Sequence, residues 1–252
     1  MAQRVFVVGL DGATFDLIGP WAGEGLLPNF ARCMREGAYG PLESTIPPMT
    51  AQAWTSFLTG KNIGKHGLVD FTMRRPGSYD LRVVDARIRD GDSLWKVLGE
   101  AGKRVIVINV PMTYPPEQVN GILISGMDAP SVESPFTYPA LLRDELLMAF
   151  PSYRIEPKGR EFLQKGQYAQ FLENLLAIED TRFEVSRYLL RKHPWDFFMV
   201  VFRAPDYAQH WFWKHMDPDH PQRAPGDEAF ADAILRVYRR MDEMLGAYLD
   251  EL

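Results

Sequence analysis

Apolar runs and helical spacings along the chain predict most of its elements. Arg4 to Leu10 holds the run VFVVGL, Arg104 to Val110 reads RVIVINV and Asp196 to Phe202 reads DFFMVVF. Unbroken runs rich in β-branched and aromatic residues predict strands buried on both faces, as in a parallel sheet. Gly121 to Ser125 is a weaker run of the same kind. Tyr168 to Lys192 has helical spacing and stops before His193-Pro194. Ala229 to Leu252 places Ile234, Val237, Met241, Leu245 and Leu249 on one helix face. Shorter helices are predicted over Leu27 to Gly37, over Ala51 to Leu58 with Thr50 as N-cap, and over Ser93 to Gly102 with Asp92 or Ser93 as cap.

Strands alternating with helices predict an α/β fold, a three-layer α/β/α sandwich around a mostly parallel central sheet. Residues 1–252 read as a single domain. The stretch from about residue 111 to 166 has weak periodicity, with five prolines between Pro111 and Pro135, and is expected to be an inserted cap or lid. In such sheets chemistry collects at the carboxyl ends of the strands. Three places qualify: Asp11, Asn109 to Pro111, and Arg203 to His210.

Composition narrows the classes. Hydrophobic residues make up 46% and charged residues 24%, which excludes a disordered or fibrous chain. Asp and Glu number 33 against 28 Lys and Arg, a net charge of -5, so no nucleic-acid polymer is expected as partner. The one cysteine, Cys33, excludes a disulfide framework or cysteine-rich metal site and reads as a small core residue. No stretch approaches a membrane span and the early apolar run is cut off by Asp11, so a cytoplasmic protein is expected.

Asp11-Gly12 puts a carboxylate on the turn leaving a strand, where it suits a metal ligand or, equally, a turn cap. Thr50 follows Pro47-Pro48 and opens a helix, where outward amides and the positive dipole end would assist a nucleophilic hydroxyl facing a phosphate; Thr is also simply a good N-cap. Asp206 and His210 stand four residues apart after a strong strand, so on a helix they share a face; carboxylate plus imidazole suits zinc or manganese. Two decoys fail. Gly64-Lys65 lacks the glycine and the hydroxyl residue of a phosphate-binding loop, because Thr59 and His66 stand there, and Gly9-Leu10-Asp11-Gly12 lacks the dinucleotide glycine pattern. Trp211 and Trp213 would pack or wall the site beside His210, whereas His215 and His220 read as solvated residues of a Pro/Asp-rich loop.

The segments VFVVGLDG, TIPPMTAQAWTSFLTGKNIGKHG and APDYAQH together resemble the alkaline phosphatase superfamily, in particular its type I phosphodiesterase/nucleotide pyrophosphatase branch and the predicted phosphohydrolases and phosphomutases within it. The resemblance implies two divalent metal ions, zinc or manganese, and a Thr or Ser nucleophile. Carried over by motif, Thr50 is the nucleophile, Asp11 and Thr50 hold one metal, and Asp206 and His210 hold the other. The implied activity is hydrolysis of small phosphodiesters or phosphomonoesters through a phosphothreonine. A phosphomutase of the same superfamily and a metal-poor binding domain are the alternatives. A sulfatase is disfavoured because the site reads Thr50-Ala51-Gln52-Ala53-Trp54.

Two departures follow. The position that contacts phosphate in nucleotide pyrophosphatases is Phe71 here, which with Trp211 becomes a candidate substrate contact. The family also completes its metal sites with a later strand ending in Asp-His and a distal His. No such strand is read after Asp206, so the chain is expected to be an N-terminal portion or an incomplete relative. Alone, it would bind metal weakly, be poorly active, and carry an exposed apolar sheet edge beside DFFMVVF.

Overall fold

The structure is a computed structural model that describes residues 4–157 and 159–252, the Arg160 side chain excepted. Seven strands are present among these residues: β1 Val5–Leu10, β2 Thr72–Arg74, β3 Leu81–Val83, β4 Val105–Val110, β5 Gly121–Ser125, β6 Thr137–Tyr138 and β7 Phe197–Phe202. The helices are α1 Phe15–Gly23, α2 Pro28–Glu36, α3 Thr50–Thr59, α4 Ile63–His66, α5 Leu94–Glu100, α6 Leu142–Ala149, α7 Arg160–Gln164, α8 Tyr168–Lys192, α9 Ala204–Met216 and α10 Ala233–Glu251.

Five strands form the main sheet in the order β1-β7-β4-β5-β6. β4 runs parallel to both neighbours, pairing Val107 with Met199 of β7 and with Leu123 of β5. β6 closes the far edge antiparallel to β5. Every residue of β4 and β7 is buried, as their unbroken apolar runs require. β7 lies inside the sheet, and the outer strand beside it is β1, whose Val5 is half exposed. The result is an α/β fold with a mostly parallel sheet and flanking helices.

Contacts divide the chain into two compact units. The first comprises the residues up to Gly9 together with Glu43–Glu156 and Glu184–Val201. Its core packs Leu58 of α3 and Trp95 of α5 against Val105, Val107, Leu123, Met199 and Val201 of the sheet. A smaller cluster joins Ala51, Leu68, Val84 and Met112, with Phe71 packed against it. The second unit comprises Leu10–Leu42, Pro157–Phe183 and Phe202–Leu252. Its core joins Leu17, Leu27, Phe171, Ala208, Phe212, Ile234 and Val237.

Within the second unit the start of α2 is held from far along the chain. Pro28 is its first residue and no local side chain caps it. The carboxylate of Asp242, on α10, accepts hydrogen bonds from the amides of Asn29 at 3.0 Å and Phe30 at 2.8 Å, and from Asn29 Nδ2 at 2.9 Å. A buried carboxylate at a helix N-terminus satisfies outward amides and complements the dipole.

Several expectations from sequence need correction. α3 begins at Thr50, with Met49 at the cap, so Thr50 is the first helical residue rather than the N-cap. Ser93 is the cap of α5, accepting from the Lys96 amide. α9 extends to Met216, so His215 lies in its last turn and is buried against Tyr168, Phe212 and Phe230 rather than solvated in a loop. Cys33 is on a helix but only partly buried. Ala229 and Phe230 end a short 3-10 helix, Asp227–Phe230, and Ala231 and Asp232 form a turn before α10 begins.

The loop after β4 is fixed by one carboxylate. Asp128 accepts from the amides of Met112, Thr113 and Tyr114 at 3.0, 3.3 and 2.6 Å. Removal from water outweighs these bonds and pushes its carboxyl up to about 6. The native state therefore holds a proton that the unfolded chain releases near the usual carboxylate value. Stability from this group is fullest below about pH 4 and is lost as pH rises to about 6. Asp128→Asn should flatten that interval, measured as urea-unfolding free energy across pH 4 to 7. An unchanged slope would show that the carboxylate is ionised throughout.

Candidate active site

The second unit brings together three of the candidate residues. Asp11 follows β1 directly, and its amide donates to the Phe202 carbonyl at the end of β7 at 2.9 Å. Asp206 is the third residue of α9, where a carboxylate is favoured by the helix dipole. His210 lies one turn further, its Nε2 3.4 Å from Asp206 Oδ1, with its imidazole largely exposed. The turn after β1 makes this approach possible. Gly12 takes φ +70°, and a Cβ there would stand 2.8 Å from Asp206 Cα. Any side chain at this position would push α9 away from Asp11.

At the centre of this group sits Arg203, the residue between β7 and α9. Its Nε donates to Asp11 Oδ2 at 3.1 Å, its Nη2 lies 3.7 Å from Asp206 Oδ2, and its guanidinium stacks 4.9 Å from the Tyr207 ring. Both partners of the Arg203–Asp11 pair are buried. The backbone is held as firmly. Glu179 Oε1 accepts from the amides of Arg203 and Ala204 at 2.7 and 2.8 Å, capping α9, while its Oε2 accepts from buried Arg182 at 2.6 Å. Gln209 Nε2 donates to the Gly12 carbonyl at 2.7 Å and so ties α9 to the turn after β1. Arg203 and Gln209 lie within the candidate stretch Arg203 to His210 but carry no assigned role from sequence, and Glu179 was not singled out. Arg203 and Gln209 flank the Asp206 motif, whereas Glu179 is recognisable only in three dimensions.

Thr50 and Phe71 belong to the first unit. α3 starts at Thr50, and its first intrahelical amide bond runs from Ala53 to the Met49 carbonyl, at 2.9 Å. Two residues on, Gln52 is fully buried with neither carboxamide atom hydrogen bonded. Leaving such atoms unsatisfied costs about 1–3 kcal/mol. Gln52→Leu is therefore expected to raise the unfolding free energy by about that amount, read by urea denaturation; a loss of stability would show that the amide has a partner.

Phe71 packs on the small cluster of Ala51 and Leu68, and its amide is bonded by Asp70 at 2.6 Å. Trp211 is partly exposed and, with Leu163, Gln164 and Tyr168, lines a cavity of about 380 Å³ in the second unit. Asn109, at the carboxyl end of β4, is committed internally, donating to the Ser125 carbonyl at 3.4 Å and accepting from Tyr153 at 3.0 Å.

One pair has the look of a nucleophile and its base but is not one. Ser56 Oγ is 3.0 Å from His66 Nε2. His66 Nδ1 accepts from the Leu68 amide at 3.1 Å, which leaves the proton on Nε2. Burial, then nearby Lys61, lowers the His66 pKa, so the ring stays neutral. It therefore donates to Ser56 and cannot take the serine proton.

A family model described as type I phosphodiesterase/nucleotide pyrophosphatase matches residues 5–252. The chain belongs to that family. Among solved structures it is similar to phosphonoacetate hydrolase from Sinorhizobium meliloti 1021 in complex with phosphonoacetate, with a TM-score of 0.58 and 16% identity over 96% of this chain. It is also similar to murine ectonucleotide pyrophosphatase/phosphodiesterase 5, with a TM-score of 0.57 and 16% identity over 99% of this chain, and to the human protein of that name, at 0.53 and 17%. The chain spans 54% of the first of these structures and 52% of the other two. No curated protein sequence matches it significantly. As a member of the phosphodiesterase family it shares their α/β fold. No described helix is long and apolar enough to cross a membrane.

The donors fit part of what the family's metal chemistry needs. Asp206 Oδ1 and His210 Nε2 are a carboxylate and an imidazole on one helix face, which suits zinc or manganese. Asp11 adds a further oxygen, held by Arg203. Among the described residues no group of three His, Cys, Asp or Glu side chains is placed to hold an ion. The chain's Asp-His dipeptide, Asp219-His220, lies in the turn after α9 and not at the end of a strand.

Proposed function

We propose that this chain carries the phosphoryl-transfer machinery of a metal-dependent hydrolase acting on small phosphodiesters or phosphomonoesters. The observation that carries the reading is the grouping of Asp11, Asp206 and His210 where β1 and β7 end, in a chain whose family is phosphodiesterase-like. In support, a threonine-to-alanine variant of the murine pyrophosphatase/phosphodiesterase is described as inactive and in complex with AMP.

In this reading Thr50 is the nucleophile. Its hydroxyl gives up a proton, Oγ1 forms a bond to phosphorus, and the bond from phosphorus to the leaving oxygen breaks. The leaving oxygen takes up a proton, and water then hydrolyses the phosphothreonine to restore Thr50. The amides at the start of α3 would bind the phosphoryl oxygens. Asp11, Asp206 and His210 would hold divalent cations, which when bound supply Lewis acidity and favour the alkoxide form of the hydroxyl. Trp211 and Phe71 are candidates for contact with the rest of the substrate. The single cysteine fits a cytoplasmic setting.

The test is incubation of the protein with bis-aryl and aryl phosphates in the presence of manganese or zinc, with product analysis. Slow release of phenol and phosphate or phosphomonoester is expected, since no group of three His, Cys, Asp or Glu side chains is placed to hold an ion among the described residues. An isomerised phosphoester in place of these products would replace the hydrolase by a phosphomutase. Absence of turnover with every phosphoester and both metals would overturn the reading.

A further inference from the structure

We propose that Arg203 is a resident counter-cation, and that metal loading at Asp11 and Asp206 is an exchange in which the ion displaces the guanidinium rather than the filling of an open site. This rests on the reading above, that these carboxylates receive a divalent ion.

The geometry is specific to this side chain. Arg203 reaches both carboxylates from one buried position, in bonding contact with Asp11 at 3.1 Å and within 3.7 Å of Asp206. Its backbone amide is pinned by Glu179 and its guanidinium stacks on Tyr207, with Nη1 3.4 Å from the phenol oxygen. Among the described contacts Arg203 is paired with Asp11 and lies near Asp206, while buried Glu179 is paired with buried Arg182. Two carboxylates this close in a low-dielectric setting would repel each other, and the guanidinium relieves that repulsion.

A divalent ion arriving at the same oxygens meets a positive charge a few ångströms away, and at that range like charges cannot share the site without a large penalty. Two consequences follow. The metal-free protein keeps Asp11 and Asp206 in place and stays folded. Its affinity for metal is lowered by the free energy needed to move Arg203 aside.

The experiment is titration of the full chain with Mn²⁺ alone, by calorimetry and by thermal unfolding, at constant ionic strength. The proteins are the parent, Arg203→Gln, Arg203→Lys and, as a remote charge control on α10, Arg240→Gln. The Gln variant should bind Mn²⁺ at least about tenfold more tightly than the parent and melt at a lower temperature without metal. Saturating Mn²⁺ should close that gap. The Lys variant, which keeps the charge, should bind no more tightly than the parent, and Arg240→Gln should match it. A folded Arg203→Gln chain, checked by circular dichroism, that binds Mn²⁺ no more tightly than the parent would overturn the exchange while leaving the metal reading intact. An equal gain in Arg240→Gln would reduce the effect to net charge and overturn it too. If no variant binds Mn²⁺, both the exchange and the metal reading fall.

Discussion

Thr50→Ala is expected to abolish turnover of an aryl or bis-aryl phosphate, by on the order of 10³-fold or more, because a phosphoryl group then has no hydroxyl to receive it. Thr50→Ser should keep measurable activity, since the hydroxyl survives and only a methyl is lost. The two variants also separate chemistry from structure. Thr50 is the first residue of α3, and Met49 occupies the cap, so neither substitution removes a side-chain cap. A phosphorylated residue trapped by rapid acid quench and located by mass spectrometry at position 50 in the Ser variant would identify the intermediate. Full activity in the Ala variant would remove Thr50 from the mechanism.

Glu179→Ala is expected to lower the unfolding free energy by about 3–5 kcal/mol, the range for breaking a buried ion pair from one side. At least three bonds end on this one carboxylate: those from the Arg203 and Ala204 amides and that from Arg182. Removing it takes from the start of α9 the carboxylate that accepts from its amides, and from buried Arg182 the ion pair with Glu179. Glu179→Gln keeps one carbonyl acceptor and should cost less. Denaturant unfolding of the three proteins measures the difference. A loss below about 1 kcal/mol for Ala would mean that Arg182 is paired elsewhere.

What could be read from the sequence divides along physical lines. The buried strands β4 and β7 and the long helix α8 announce themselves through continuous apolar runs or sustained helical spacing, and α8 spans Tyr168–Lys192 as expected. α1 was not legible because FDLIGPWAG carries two glycines and an internal proline, which argue against a helix. The β2–β3 hairpin was not legible because its strands are three residues long and mostly exposed. Of the site, Asp11, Asp206 and His210 could be nominated from their position after strong strands. Arg203 could not be given a role, because its partner Asp11 lies 192 positions earlier. His215 was misread because proline and aspartate after it suggested a loop, whereas the turn Asp227–Phe230 folds back to cover it and Asp227 engages its Nδ1.

The carboxylate that holds the start of α2 also sets a clock. Asp242 follows Phe30 by 212 positions. At about 5–20 residues per second, roughly 10–40 s of synthesis separate the two. For that interval the nascent chain has made α2 but has nothing to seat its first turn, and the apolar faces of α1 and α2 wait for α9 and α10. The second unit is thus assembled after translation of its parts rather than during it, and non-local closure of this kind folds slowly. Factors that shield apolar helices on the ribosome are therefore expected to raise the yield of this protein.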